Sequence, residues 1–269
     1  MEKPTVHTPT YPKVDTLVYP ENNMFNWDNK RAVCDSLWQL ENFLNDEWYT
    51  NLKNDYRRTE SLWSSRYPNR LVMENNHWIS AIMLGSALTP YLEQLTGERL
   101  NLATARGYLD LSGAYFYPHF DSAQWIVNVQ IYLTDVDTPE LGTQFVLDNN
   151  INAKVAEGYE EWTSKTAMEV DDSEYYMIPF RQNWGYINDN RSRKLHKTRP
   201  VPPAFARESL HFNYGIRQGN ETGLAGVAEW AVTGQDQVLA NWRKSMQDLN
   251  SVDGLRTWLI NNTNFHANT

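Results

Sequence analysis

Residues 103–145 read ATARGYLDLSGAYFYPHFDSAQWIVNVQIYLTDVDTPELGTQF, and this stretch settles the fold class because apolar and polar side chains alternate between breaks at Gly, Pro and Asp. A period of two is the mark of strands that bury one face. The alternation, with Gly, Pro and Asp-Asn breaks, continues from 102 to 216, so the middle of the chain reads as β-rich. Helical spacing dominates on either side of it.

Within the quoted stretch, Tyr117-Pro118-His119-Phe120-Asp121 on an extended strand turns His119 and Asp121 to one face and Phe120 to the other. Two imidazoles and one carboxylate are donors suited to Fe(II), and as a facial triad they leave positions open for other ligands. His196 is the expected third ligand, at a strand edge just before the turn signals between Pro200 and Pro203. By itself a His-x-Asp pair also reads as two hydrogen-bonded surface residues. The addition of His196, Arg207 and Ser209, in that order, changes the balance.

After His196 the chain reads Arg207-Glu208-Ser209-Leu210-His211-Phe212-Asn213-Tyr214, which as a strand puts Arg207, Ser209, His211 and Asn213 on one polar face. Burying an unpaired guanidinium costs about 3 to 5 kcal/mol, so an anion should meet Arg207. A guanidinium pairs bidentately with a carboxylate and a neighbouring hydroxyl adds a bond, which suits the 5-carboxylate of 2-oxoglutarate. His211 shares this face and is the rival third ligand. Four residues from Arg207 is a rise of roughly 13 Å, so it is expected further along the barrel, as a satisfied core histidine.

The order His119-x-Asp121, a long interval, His196, then Arg207-x-Ser209 resembles the Fe(II)/2-oxoglutarate-dependent dioxygenases. The resemblance spans about 102–216 and includes the strand end Tyr132-Leu133-Thr134-Asp135, the Gly142-Thr143-Gln144-Phe145 strand start, PFRQNWGYINDNRSRKLHKTRP at 179–200 and SLHFNYGI at 209–216. It implies a double-stranded β-helix of the jelly-roll or cupin type, mostly β with flanking helices (α+β). It further implies Fe(II) on His119, Asp121 and His196, with 2-oxoglutarate as co-substrate held by Arg207, Ser209, Tyr132 and Tyr108, and O2 as oxidant. The implied outcome is hydroxylation with release of succinate and CO2. The chain departs from the family in having Leu141-Gly142 where paired glycines are usual. It has Arg207 where collagen-type prolyl hydroxylases carry Lys, which argues against a prolyl substrate. Asp121 disfavours a halogenase, since such enzymes lack that carboxylate. A barrel that kept the fold and lost its chemistry, binding ligand without turnover, is the alternative.

Composition sets bounds around this reading. The 269 residues, 41% of them hydrophobic, suffice for one domain with a sizeable core. The expected division is a helical part at about 25–100, a barrel at about 101–217 and C-terminal helices at about 223–262. Helices are expected over 29–54, on the spacing of Val33, Leu37, Leu40, Phe43 and Leu44, and over 78–96, kinked or divided at Pro90. Further helices are expected over 223–230, 235–249 and 255–260, bracing the barrel or forming a homodimer contact. The loops 48–69, with Tyr56, Arg57, Arg58 and Trp63, and 149–172, with Tyr159 and Trp162, are the candidate lids over a small-molecule or peptide substrate.

Thirty-three acidic residues against 24 basic give a net charge of −9, and no nucleic-acid module is recognisable, so no nucleic-acid partner is expected. The basic run at 191–199 opposes that sign, either as a rim steering an anion or as a solvated loop. The single Cys34 excludes an intramolecular disulfide, and residues 1–15 have no apolar signal core. No apolar run approaches the length of a membrane span. A cytoplasmic protein without membrane contact is expected, in which the Asn-x-Ser/Thr triplets at Asn190, Asn220 and Asn261 carry no glycan.

Overall fold

A computed structural model describes residues 25–58, 64–67, 69–73, 79–135, 137–159 and 165–216. Twelve strands are described: β1 (Lys30–Cys34), β2 (Leu37–Leu40), β3 (Ser64–Tyr67), β4 (Arg70–Met73), β5 (Leu100–Asp110), β6 (Phe116–His119), β7 (Val127–Tyr132), β8 (Thr143–Val146), β9 (Tyr175–Ile178), β10 (Gly185–Asp189), β11 (His196–Thr198) and β12 (Arg207–Ile216). They form an antiparallel major sheet in the order β1-β2-β10-β7-β12-β5-β4-β3 and a minor sheet in the order β6-β11-β8-β9. This is the two-sheet jelly roll the sequence implies.

The two faces of the major sheet differ in chemistry. Leu102, Ala105, Val129, Ile131, Ile187, Leu210 and Phe212 form one core with Trp48 and Leu52 of helix α1 (Asp46–Arg58) and Leu84, Leu88 and Leu92 of helix α2 (Ile79–Thr96). Burying each Leu, Ile, Val or Phe side chain among these is worth about 1.5 to 3 kcal/mol. Gly85 permits the close packing of α2, since a Cβ there would stand 2.6 Å from the Phe212 ring. The opposite face carries the alternate residues: Thr104, Arg106, Tyr108 and Asp110 of β5 with Arg207, Ser209, His211 and Asn213 of β12. Helices α3 (Asn149–Glu157) and α4 (Lys165–Met168) cover the minor sheet's outer side, where Val155 and Ala167 pack with Phe120, Val146 and Leu195.

The N-terminal part corrects the expectation of helix. Residues 29–54 begin with a hairpin, β1 and β2 turning at Asp35-Ser36, and become helical only from Asp46. The spacing of Leu37, Leu40, Phe43 and Leu44 fits a helix, but β10 offers β2 an open edge, and Leu37 and Leu40 pair with Asn188 and Gly185. Tertiary pairing overrides the local period. Helix α2 runs unbroken through Pro90. The expected helices within 223–262 lie outside the described residues.

Both candidate lids are partly regular structure. Trp48 and Tyr56 are buried on α1, and the Tyr56 hydroxyl donates to the Tyr108 carbonyl at 2.7 Å, so this stretch is core; Trp63 lies outside the described residues. The 149–172 stretch contains α3 and α4, and Trp162 also lies outside the described residues. Among the described residues no helix is long and apolar enough to cross a membrane.

Candidate metal centre

His119 ends β6, His196 begins β11, and the two are direct cross-strand partners with ring centroids 4.2 Å apart. A bulge in β6, where Thr198 pairs with Phe116, lets Phe116 and His119 face the same cavity although they are three apart. Asp121 lies two residues past His119, beyond the strand end, and still returns to the same side. Phe120 points the other way, into the cluster under α3. The alternation that the sequence suggests thus survives one step beyond the strand.

Two backbone bonds set the ring orientations. The Nδ1 of His119 lies 2.8 Å from the Tyr117 carbonyl, and that of His196 lies 3.0 Å from the Lys194 carbonyl. A carbonyl only accepts, so each Nδ1 carries the proton and each Nε2 carries the lone pair. These Nε2 atoms stand 3.9 Å from Asp121 Oδ1 and 3.4 Å from Asp121 Oδ2. All three ligand atoms lie within 4.8 Å of one another. Adjacent donors around an octahedral ion with bonds of about 2.1 Å stand roughly 3 Å apart, so the group fits a divalent cation after slight contraction.

The electrostatics agree. Burial, with His196 alongside, pushes the His119 imidazole down to about 3, so it is neutral and able to ligate at neutral pH. Burial pushes the Asp121 carboxyl up, but His196, His119, His211 and the Asn128 amide outweigh it and leave its pKa below the ordinary value. Asn128 donates its side-chain N–H to Asp121 Oδ2 and so orients the carboxylate.

The triad opens into a cavity of about 190 Å³. Arg207 and Tyr108 line it with the triad, as does His211, whose imidazole burial pushes down to about 4. His211 therefore lies closer to the triad than its distance along the strand suggests, and the third ligand of the group is His196. Ser209 is fully buried and accepts from the Gln130 amide at 2.8 Å. Tyr132 lies behind the cavity wall, where its hydroxyl donates to Thr143 Oγ1 and accepts the Thr143 N–H, both at 3.1 Å. Thr143 lines the cavity. Gly142 permits this, since a Cβ there would stand 1.8 Å from the Ile178 carbonyl oxygen.

Arg207 meets an anion within its own chain. Its Nε and Nη2 donate to Asp110 Oδ2 at 2.9 and 2.7 Å, its Nη1 to the Leu141 carbonyl at 3.2 Å and its Nη2 to Thr198 Oγ1 at 3.1 Å. Asp110 also accepts a bidentate pair from Arg70 of β4. Burial pushes the Asp110 carboxyl up, yet Arg70 and then Arg207 hold it below its ordinary value, so it stays ionised. The sequence reading passed over Arg70, Asp110, Asn128 and Thr143. The signal for Asp110 was in β5, where every second residue from Thr104 to Asp110 is polar.

The basic run at 191–199 is mostly occupied with structure. Arg191 bonds Asp189, Glu98 and the Thr96 carbonyl, Lys194 is buried, Lys197 pairs with Asp172 and Arg193 lies over the Phe120 ring. Asn190 is also buried, donating to the Ser122 and Trp125 carbonyls; Asn220 and Asn261 lie outside the described residues.

No protein-family model matches the chain, and no curated protein matches its sequence. Likeness is found among solved structures. The epimerase SnoN in complex with Fe3+, alpha ketoglutarate and nogalamycin RO has a TM-score of 0.54 at 15% identity, over 68% of this chain and 79% of that one. HygX from Streptomyces hygroscopicus, solved with nickel and 2-oxoglutarate, has a TM-score of 0.52 at 13% identity, over 71% and 84%. A prolyl hydroxylase in complex with a hypoxia inducible factor oxygen degradation domain peptide fragment, from Trichoplax adhaerens, has a TM-score of 0.50 at 12% identity, over 78% and 96%. At such identities the likeness is one of fold, and in fold the chain is similar to the 2-oxoglutarate-dependent oxygenases that its sequence resembles.

Proposed function

We propose that the chain is a non-haem Fe(II)- and 2-oxoglutarate-dependent dioxygenase that hydroxylates an unactivated carbon of a small molecule or a peptidyl residue. The observation that carries this reading is the pair of histidine Nδ1 bonds to backbone carbonyls, which turns both Nε2 lone pairs toward Asp121 in a cavity that Arg207 also lines. His119, Asp121 and His196 would hold the metal, and Asn128 would keep the carboxylate turned toward it. Bound there with its co-substrate, iron supplies the oxidation: O2 and 2-oxoglutarate yield succinate and CO2, and one oxygen atom enters a substrate C–H bond.

The protein's own part is placement. Arg207, braced by Asp110, would anchor the distal carboxylate of 2-oxoglutarate. Tyr108 lines the cavity directly, while Tyr132 and Ser209 act on it by fixing Thr143 and Gln130. Buried walls on both sheets exclude water around the reacting atoms.

Adding Fe(II) and 2-oxoglutarate to the protein without oxygen tests the reading. A weak visible charge-transfer band is expected in wild type and absent in His196→Ala and Arg207→Ala. Its absence from wild type would redirect the barrel toward ligand binding without turnover.

A further inference from the structure

Arg70, Asp110 and Arg207 occupy one row across three neighbouring strands: in register, Asp110 of β5 faces Arg70 of β4 on one side and Arg207 of β12 on the other. Arg70 gives Asp110 its Nε and Nη2, and Arg207 gives Asp110 the same two atoms, so both guanidiniums meet at Oδ2. Asp110 is fully buried, Arg207 is 2% exposed and the Arg70 side chain 12%. No other carboxylate among the described residues pairs with either arginine. One negative charge therefore serves two positive ones, and the row itself carries a net charge of +1.

Arg70 is held in a fixed pose. Its guanidinium lies over the Tyr108 ring at 4.4 Å and the Phe116 ring at 4.1 Å, while Asp110 takes one edge of the fork. Nη1 has no partner among the described residues, and the side chain lines the same cavity as the metal triad. Arg207, by contrast, has every nitrogen engaged. Of the two guanidiniums, Arg70 has the greater capacity left for an incoming anion.

Building on the function proposed above, we infer that Arg70 is a second anchor for the distal carboxylate of the 2-oxo acid, forming a two-guanidinium clamp with Arg207, and that Asp110 is the positioning residue holding both. The charges then balance separately at each end of the co-substrate. The distal carboxylate neutralises the residual charge of the Arg70–Asp110–Arg207 row. The 2-oxo-carboxylate end offsets the single positive charge left when a divalent metal meets Asp121.

The test compares two probes on Ni(II)-loaded full-length protein by calorimetric titration: 2-oxoglutarate, and 2-oxopentanoate, which has the same chain length and no distal carboxylate. Arg70→Gln is expected to weaken 2-oxoglutarate by about tenfold or more, the scale of a lost charge-assisted pair, while leaving 2-oxopentanoate and Ni(II) unchanged. Arg70→Lys, which keeps the charge and loses the fork, should fall between and guards against a misfolded Gln variant. Equal weakening of both probes, or 2-oxoglutarate affinity unchanged in Arg70→Gln, overturns the clamp and leaves the parent reading standing. A wild type that binds neither 2-oxo acid overturns both.

Discussion

The two ends of the cavity answer the problem of buried charge in opposite ways. At the arginine end, Arg70, Asp110 and Arg207 compensate one another largely within the chain, and the row joins three strands of the major sheet. At the metal end, two imidazoles and one carboxylate converge with both Nε2 atoms facing inward, tied mainly to local backbone carbonyls and Asn128. The first end is a structural brace that also offers a charge. The second is a group that could hold a cation, and little of the fold's stability is expected to rest on it. Substitutions at the two ends should therefore separate stability from binding.

The largest stability effect is expected at Asp110. Asp110→Asn strips two buried guanidiniums of their counter-charge, which should cost about 3 to 5 kcal/mol in urea unfolding, as for other broken buried pairs. A loss of under about 1 kcal/mol would mean the row braces little.

At the metal end the large effect should fall on binding. Asp121→Asn or His196→Ala is expected to weaken Ni(II) by at least about 10- to 100-fold, with an unfolding midpoint near that of wild type. Comparable loss of stability in these variants would erase the contrast between the two ends.

Acid should act through Asp110. Its folded pKa is depressed, so its stabilisation is fully present above the ordinary carboxylate value and is lost as pH falls from there through the folded value. Wild type should accordingly lose stability below about pH 4, with Asp110→Asn showing a shallower fall over that window. Parallel acid limbs in the two proteins would count against this.

The smallest effect is expected outside the cavity. Arg191 and Glu98 are partly exposed, and the buried Asp189 keeps the backbone N–H of Arg191, so Arg191→Ala should cost less than about 2 kcal/mol. It should also leave 2-oxoglutarate affinity unchanged at low salt. A weaker affinity than wild type at low salt, with the difference vanishing as salt is raised, would revive the steering role for the basic run.

The sequence was most informative where local pattern and final geometry share a cause. Strand alternation comes from backbone pleating alone, so the polar face Arg207, Ser209, His211 and Asn213 was legible, as was the shared face of His119 and Asp121. The hairpin at 30–40 was not, because its residues also fit a helical period and only the open edge of β10 decides between them. The closeness of His211 to the triad was missed for a related reason: distance along one strand says nothing about how the opposite sheet folds back over it.

Sequence alone established that the middle of the chain is β-rich with one polar strand face, and which residue types could meet a metal and an anion there, while the jelly roll was implied by the family resemblance. Tertiary structure was needed to make His119 and His196 cross-strand partners, to orient their rings on backbone carbonyls, and to bring Arg207 to Asp110 and Arg70. The physical reason is that side-chain direction is a local property of the backbone, whereas the choice of partner depends on register between strands far apart in the chain.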